Sequence, residues 1–145
     1  MAIAKVYGLG MQSFYNKEVN FATDTVKVML CTSSYTPDQD VHRYKSSITN
    51  EIPATGGYTA RGLTLTGKTL TYDAPSNTLT LDSADPVWTA TTFAAVHYAI
   101  FYVDTGADGT SPLICYMDFQ SDYATTAQDF TIILPATGIV QATAA

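Results

Sequence analysis

Two stretches of strict alternation constrain the fold of this chain more than any other feature: Lys68-Thr69-Leu70-Thr71-Tyr72-Asp73 and Asn77-Thr78-Leu79-Thr80-Leu81-Asp82. A period of two puts Leu70 and Tyr72 on one side of an extended backbone and the threonines on the other, which a helix cannot do. Between the two, Ala74-Pro75-Ser76 with Asn77 supplies turn chemistry, because Pro fixes φ and Asn tolerates the left-handed region. The pair therefore predicts a β-hairpin.

Other strand signals follow at short, fairly even intervals. Thr25 to Cys31 opens with alternation and becomes apolar, as a strand entering a core does. Val96 to Val103 reads as a central, largely buried strand, and Leu113 to Phe119 returns after the loop Thr105-Gly106-Ala107-Asp108-Gly109. Gly56-Gly57-Tyr58-Thr59 leads a further strand through Leu65, while Phe130 to Leu134 and Gly138 to Ala142 close the chain. Helix is scarce: Met11 to Val19 suits one or two turns, and Asp40 to Ile48 is a second place for one. No linker or repeat divides the sequence. These signals predict one all-β domain over residues 1–145, an antiparallel β-sandwich or barrel-like fold of about 8–10 short strands with one or two short helical turns.

Composition agrees and adds a surface argument. The 23 threonines outnumber all 20 charged residues, and the charged fraction is 14%, where a soluble domain carries about 25%. Thr is β-branched and suits a pleated, half-buried surface. The net charge of −6 argues against nucleic acid or an anionic membrane as partner. No apolar run of signal-peptide length follows Met1, so synthesis in the cytoplasm is expected. The longest apolar stretch, Phe93 to Val103, is too short to span a bilayer. Cys31 and Cys115 lie in strand-like apolar runs without CxxC spacing and read as buried free thiols, with a disulfide left open.

The sharpest chemical motif is Val103-Asp104-Thr105-Gly106-Ala107-Asp108. It resembles the active-site turn of retroviral-type aspartic proteases, in which two such Asp share one proton. Only 41 residues follow Asp104, with no flap-like Gly-rich hairpin among them. Asp, Thr and Gly are also what a tight exposed loop uses, and a hairpin turn is the preferred reading. Asp104 and Asp108 beside Gly109 hint at calcium but lack the remaining ligands of an EF-hand loop. His42 and His97 have no second His or Cys at metal spacing; His97, inside an apolar strand, reads as a satisfied structural histidine. The acidic pairs Asp38/Asp40 and Asp82/Asp85 read as loop or strand-end residues. Gly-x-Ser-x-Gly, P-loop and Rossmann patterns do not occur. No catalytic, metal or cofactor residue is assigned, and the chain is read as non-enzymatic. The ten tyrosines suit either subunit interfaces or the margins of a core. Trp88 reads as a core anchor.

Taken in order, a series of stretches resembles a family of small virion structural proteins of tailed bacteriophages. They are Ala4-Lys5-Val6-Tyr7, Asn16-Lys17-Glu18, Asp24 through Pro37, Asn50-Glu51, Gly57 through Leu65, Asp85-Pro86-Val87-Trp88, His97 through Tyr102 and Pro112-Leu113-Ile114. The family pattern has a second Gly where this chain has Arg61. The resemblance implies a capsid decoration (cement) protein, a minor capsid protein in the broad sense, that sits on the virion exterior. It binds the major capsid protein and stabilises contacts between its subunits, commonly as a homotrimer. Segments at about 1–10 and 138–145 are expected to serve as arms. The alternative is a minor tail or head–tail connector protein; a remote alternative is an aspartic-protease-like enzyme using Asp104.

Overall fold

Strand β2 (Val26–Cys31) shows how the architecture arises. Its even positions Val26, Val28 and Leu30 belong to one buried cluster, and its odd positions Met29 and Cys31 to another. A strand covered on both faces must be apolar at every position, which explains why alternation fades along it. The computed structural model describes residues 3–144 and places β2 in a five-stranded antiparallel sheet. The remaining strands of that sheet are β1 (Ile3–Val6), β3 (Leu63–Thr64), β7 (Val96–Val103) and β8 (Leu113–Tyr123), in the order β1-β8-β7-β2-β3. The same splitting runs through β7: Ala99, Phe101 and Val103 join the first cluster, while Tyr98, Ile100 and Tyr102 face the second.

The predicted hairpin is present with its alternation intact. Strands β4 (Thr69–Asp73) and β5 (Thr78–Asp82) pair with Leu70 opposite Leu81 and Tyr72 opposite Leu79. β10 (Val140–Thr143) adds to the other side of β5, making a three-stranded sheet. β6 (Val87–Thr91) and β9 (Gln128–Thr131) form a two-stranded sheet with a register irregularity between Trp88 and Thr91. The smaller sheets supply Leu81 and Trp88 to the first cluster, and Ile132 and Ile139, just outside β9 and β10, join them with Val28, Phe101 and Cys115. Among the described residues this is an all-β, sandwich-like fold of ten strands, in which no barrel closes.

Several boundaries differ from the sequence reading for identifiable reasons. The strand expected from Gly56 to Leu65 shrinks to two residues, because Gly56, Gly57, Arg61 and Gly62 all adopt positive φ. Helix α1 occupies Gly8–Tyr15, earlier than Met11 to Val19, since Tyr7 is fully buried and starts the helix from the core. Asp40 to Ile48 holds only a single 3₁₀ turn at Lys45–Ser47. The strand expected at Phe130 to Leu134 ends at Thr131; beyond it Ile132 donates to the Pro86 carbonyl and Leu134 to Asp85 Oδ1. Both segments expected as arms are paired within the chain, β1 against β8 and β10 against β5, at sheet edges. Cys31 and Cys115 are free and buried, and burial pushes the Cys31 thiol up to about 12.

Where β3 ends, a side chain continues the ladder. Leu30 N–H donates to the Tyr58 hydroxyl at 3.1 Å, and that hydroxyl donates to Glu51 Oε1 at 2.7 Å. The Leu30 carbonyl accepts from Ile52 N–H at 3.0 Å. Tyr58 thus stands in for a neighbouring strand, and its ring packs against Trp88 and Phe93. Tyr58→Phe is expected to lower stability by about 1–3 kcal/mol, because it leaves a buried N–H unpartnered while keeping the ring. Urea unfolding measures this; a midpoint within error of wild type would show that water replaces the hydroxyl.

Candidate functional site

The Asp-Thr-Gly loop leaves β7 at Val103, where Asp104 N–H donates to the Thr25 carbonyl. Its carboxylate is then enclosed by cations. Arg61 Nη2 lies 2.5 Å from Asp104 Oδ1, Lys27 Nζ lies 2.9 Å from Oδ2, and Gly106 N–H donates to Oδ1 at 3.0 Å. Arg61 also pairs with Asp108, whose other oxygen meets Lys45 Nζ at 3.2 Å. The five side chains form one network of three cations and two anions. The Arg61 guanidinium foremost, with Lys27 and the Gly106 N–H, holds the Asp104 carboxyl well below the usual carboxylate range despite its burial. The loop's own hydroxyls are similarly engaged: Thr105 N–H donates to Ser111 Oγ, and Ser111 Oγ donates to the Ala107 carbonyl.

The network pins three distant segments to the end of β7, and what it does chemically follows from its charge state. Asp104 is a carboxylate shielded by Arg61 and Lys27, so it holds no proton to share at neutral pH. Asp104 and Asp108 face guanidinium and ammonium groups, not a common cation position. Among the described residues, no group of three or more His, Cys, Asp and Glu side chains is placed to hold a metal ion.

Arg61 reaches this network from a left-handed backbone, φ +73°, followed by Gly62 at φ +77°. The turn that a Gly would make most easily is therefore kept, with the side chain recruited for pairing. Its backbone is held from both sides: Arg61 N–H donates to Glu51 Oε1 at 2.6 Å, and its carbonyl accepts from the Tyr102 hydroxyl at 2.6 Å.

The histidines sit apart from this loop. His97 on β7 bridges two carboxylates of β8, with Nε2 at 3.3 Å from Asp118 and Nδ1 at 2.7 Å from Asp122. His42 ends a chain of hydroxyls that begins in the second core, Tyr7 to Tyr35 at 2.8 Å and Tyr35 to His42 Nδ1 at 2.9 Å. Because Asp38 N–H can only donate to that nitrogen, Nδ1 is the acceptor, and the chain runs Tyr7 to Tyr35 to His42. Both ring nitrogens of His97 and Nδ1 of His42 thus have partners.

The tyrosines divide between core and surface: Tyr7, Tyr35, Tyr58, Tyr102 and Tyr116 are buried, whereas Tyr15, Tyr72 and Tyr123 are exposed. With Tyr15 on α1 goes Met11, one turn before it, and Val41 is exposed in the loop after β2. Leu70 accompanies Tyr72 on β4, and Ile133 and Tyr123 line an open cleft of about 350 Å³ between β8 and β9. A second open cleft, about 620 Å³, lies between α1 and the Pro37–Asp40 loop beside Lys5 and Tyr116.

The basic residues contrast with this apolar exposure. Lys27, Arg43, Lys45 and Arg61 pair with carboxylates of the chain, and Lys68 Nζ donates to the carbonyls of Phe21 and Asp24. Among the described residues, Lys5 and Lys17 are the cations outside such contacts. No described helix is long and apolar enough to cross a membrane. Together these elements define an all-β, sandwich-like protein. No family model matches the chain, and no curated protein or solved structure matches it.

Proposed function

We propose that the protein is a structural component of a tailed-bacteriophage particle. It binds the outer face of the capsid, without catalysis and as a homotrimer, and holds neighbouring major capsid protein subunits together. The observation that carries this reading is the pairing of exposed apolar side chains with internally neutralised cations. Met11, Tyr15, Leu70, Tyr72, Tyr123 and Ile133 project from a surface on which most basic groups are already committed. Such a surface suits broad neutral contact with protein and offers little to a phosphate backbone. The family resemblance supplies the particle. A shell under internal pressure gains stability from each bound clamp by mass action.

Counting copies in purified virions tests the proposal. Decoration demands a copy number that scales with the capsid lattice, in the hundreds, and particles stripped of the protein should break at lower temperature. A complement of about a dozen or fewer would place the protein at the tail or connector and reject decoration. Truncation at Gly138 is a poor substitute for this experiment. It removes β10 and the buried Ile139, so it reads fold stability as well as assembly.

A further inference from the structure

We propose that β4 is a self-pairing edge, along which two copies of this chain join antiparallel with Thr71 on the two-fold axis. β4 is the outer strand of its three-stranded sheet, hydrogen-bonded to β5 on one side only. All five of its residues are exposed, and on one face Leu70 and Tyr72 are 48% and 58% accessible. The Tyr72 hydroxyl donates to Asn77 Oδ1 at 2.9 Å, so the ring is already held along the hairpin. An open edge with two exposed apolar side chains, one of them held in place, is a template for another strand.

The identity of the occupant follows from the strand itself. Antiparallel pairing about Thr71 sets Leu70 against Tyr72 of the second copy, and Tyr72 against its Leu70, an aliphatic–aromatic match made twice. It sets Thr71 against Thr71, and Thr69 against Asp73, a hydroxyl donor facing a carboxylate acceptor. Charge does not oppose this pairing. Thr69 to Tyr72 carry none, Lys68 is held back on the carbonyls of Phe21 and Asp24, and Asp73 is the only charge in the strand. The two Asp73 side chains end up four residues apart, roughly 14 Å at ~3.4 Å per residue, beyond the screening length of about 8 Å. No like charges meet in this register. The product is one continuous sheet of six strands, β10-β5-β4 and its two-fold mate. The contact is isologous and joins chains in pairs, so it stands beside any three-fold contact and does not depend on the virion reading.

Thr71→Cys tests the register directly, because the native thiols Cys31 and Cys115 are buried. Paired Cα atoms about 4.5–5.5 Å apart fall within disulfide range. Under oxidised glutathione, Thr71→Cys should give a covalent chain pair on a non-reducing denaturing gel, and Thr69→Cys alone should not. Mixing Thr69→Cys with Asp73→Cys should restore the link. Leu70→Lys with Tyr72→Lys should weaken the association, read by sedimentation, about tenfold or more, with an unchanged melting temperature showing that the fold is intact. Failure of Thr71→Cys to link, or equal linking by Thr69→Cys, overturns the proposal. So does a chain that stays unlinked in solution but joins to capsid protein on the particle, since that makes the shell the occupant. Capsid binding is a separate readout, and its loss would count against the virion proposal alone.

Discussion

Gly62→Ala should lower the unfolding midpoint by roughly 10–15 °C, which corresponds to about 3–5 kcal/mol for a chain of this size. Two causes act together. The backbone at Gly62 has φ +77°, where an L side chain costs about 1–2 kcal/mol. A Cβ there would also stand 2.0 Å from the Val28 carbonyl oxygen and 2.6 Å from its carbon. Those atoms belong to β2, the strand between β7 and β3, so they cannot withdraw without disturbing both ladders. Gly106→Ala separates the two causes. Gly106 has φ +88° and nothing within 4 Å of a built Cβ, so it reports backbone strain alone. Differential scanning calorimetry of both variants should rank Gly62→Ala well above Gly106→Ala. Equal shifts would mean that the close approach to Val28 is relaxed at no cost.

Asp104→Asn should be nearly as damaging, by about 2–4 kcal/mol near neutral pH, because it leaves the largely covered Lys27 without its counter-charge and Arg61 with that of Asp108 alone. The Asp104 side chain is only 10% exposed, with Arg61 at 29% and Lys27 at 22%. The sign of the pH dependence follows from the direction of its shift. Asp104 is lowered in the folded state, chiefly by Arg61. Its contribution is therefore complete above the ordinary Asp value of about 3.9, and it fades as pH falls from there through the folded-state value. Wild-type stability should fall on acidification below about pH 4, and the gap between wild type and Asp104→Asn should narrow there. A gap that stays constant down to strong acid would show that the carboxylate's charge is not what the variant removes.

Hydrophobic patterning made β2, the β4–β5 hairpin, β7 and the start of β8 legible, by alternation in the hairpin and by apolar runs where both faces of a strand are covered. It was silent about β1 and β6. β1 is four residues long, and β6, whose Trp88 was assigned to the core, is interrupted by an irregularity. Pairing with distant strands, not local preference, makes them strands. The ion network was illegible for a similar reason. Arg61 lies 43 residues from Asp104 and Lys45 lies 63 from Asp108, and spacing within a sequence does not report such encounters. The Asp-Thr-Gly motif drew attention to this loop, but its chemistry is set by the cations that the fold brings to it. Arg61 carried the one local signal: a long side chain in a turn, directly before Gly62.

The two-sided burial of the central sheet has a consequence for how its strands find their alignment. When one face of a sheet meets water, a one-residue slip strands apolar groups in solvent, and that penalty guards the register. β2, β7 and β8 lack much of this guard, because apolar neighbours wait on either side. Oxygen atoms can serve instead. Tyr102, Tyr98 and Tyr116 belong to one cluster, with Tyr7 and Tyr35 above them, and the hydroxyls of Tyr7, Tyr35 and Tyr102 each have an assigned partner. A slipped β7 would turn the Tyr102 hydroxyl towards the cluster of Val28, Cys115, Trp88 and Ile132, where the lining is largely aliphatic and aromatic. The phenolic oxygens act as keys that fit one threading of the sheet, and they tell two equally greasy faces apart.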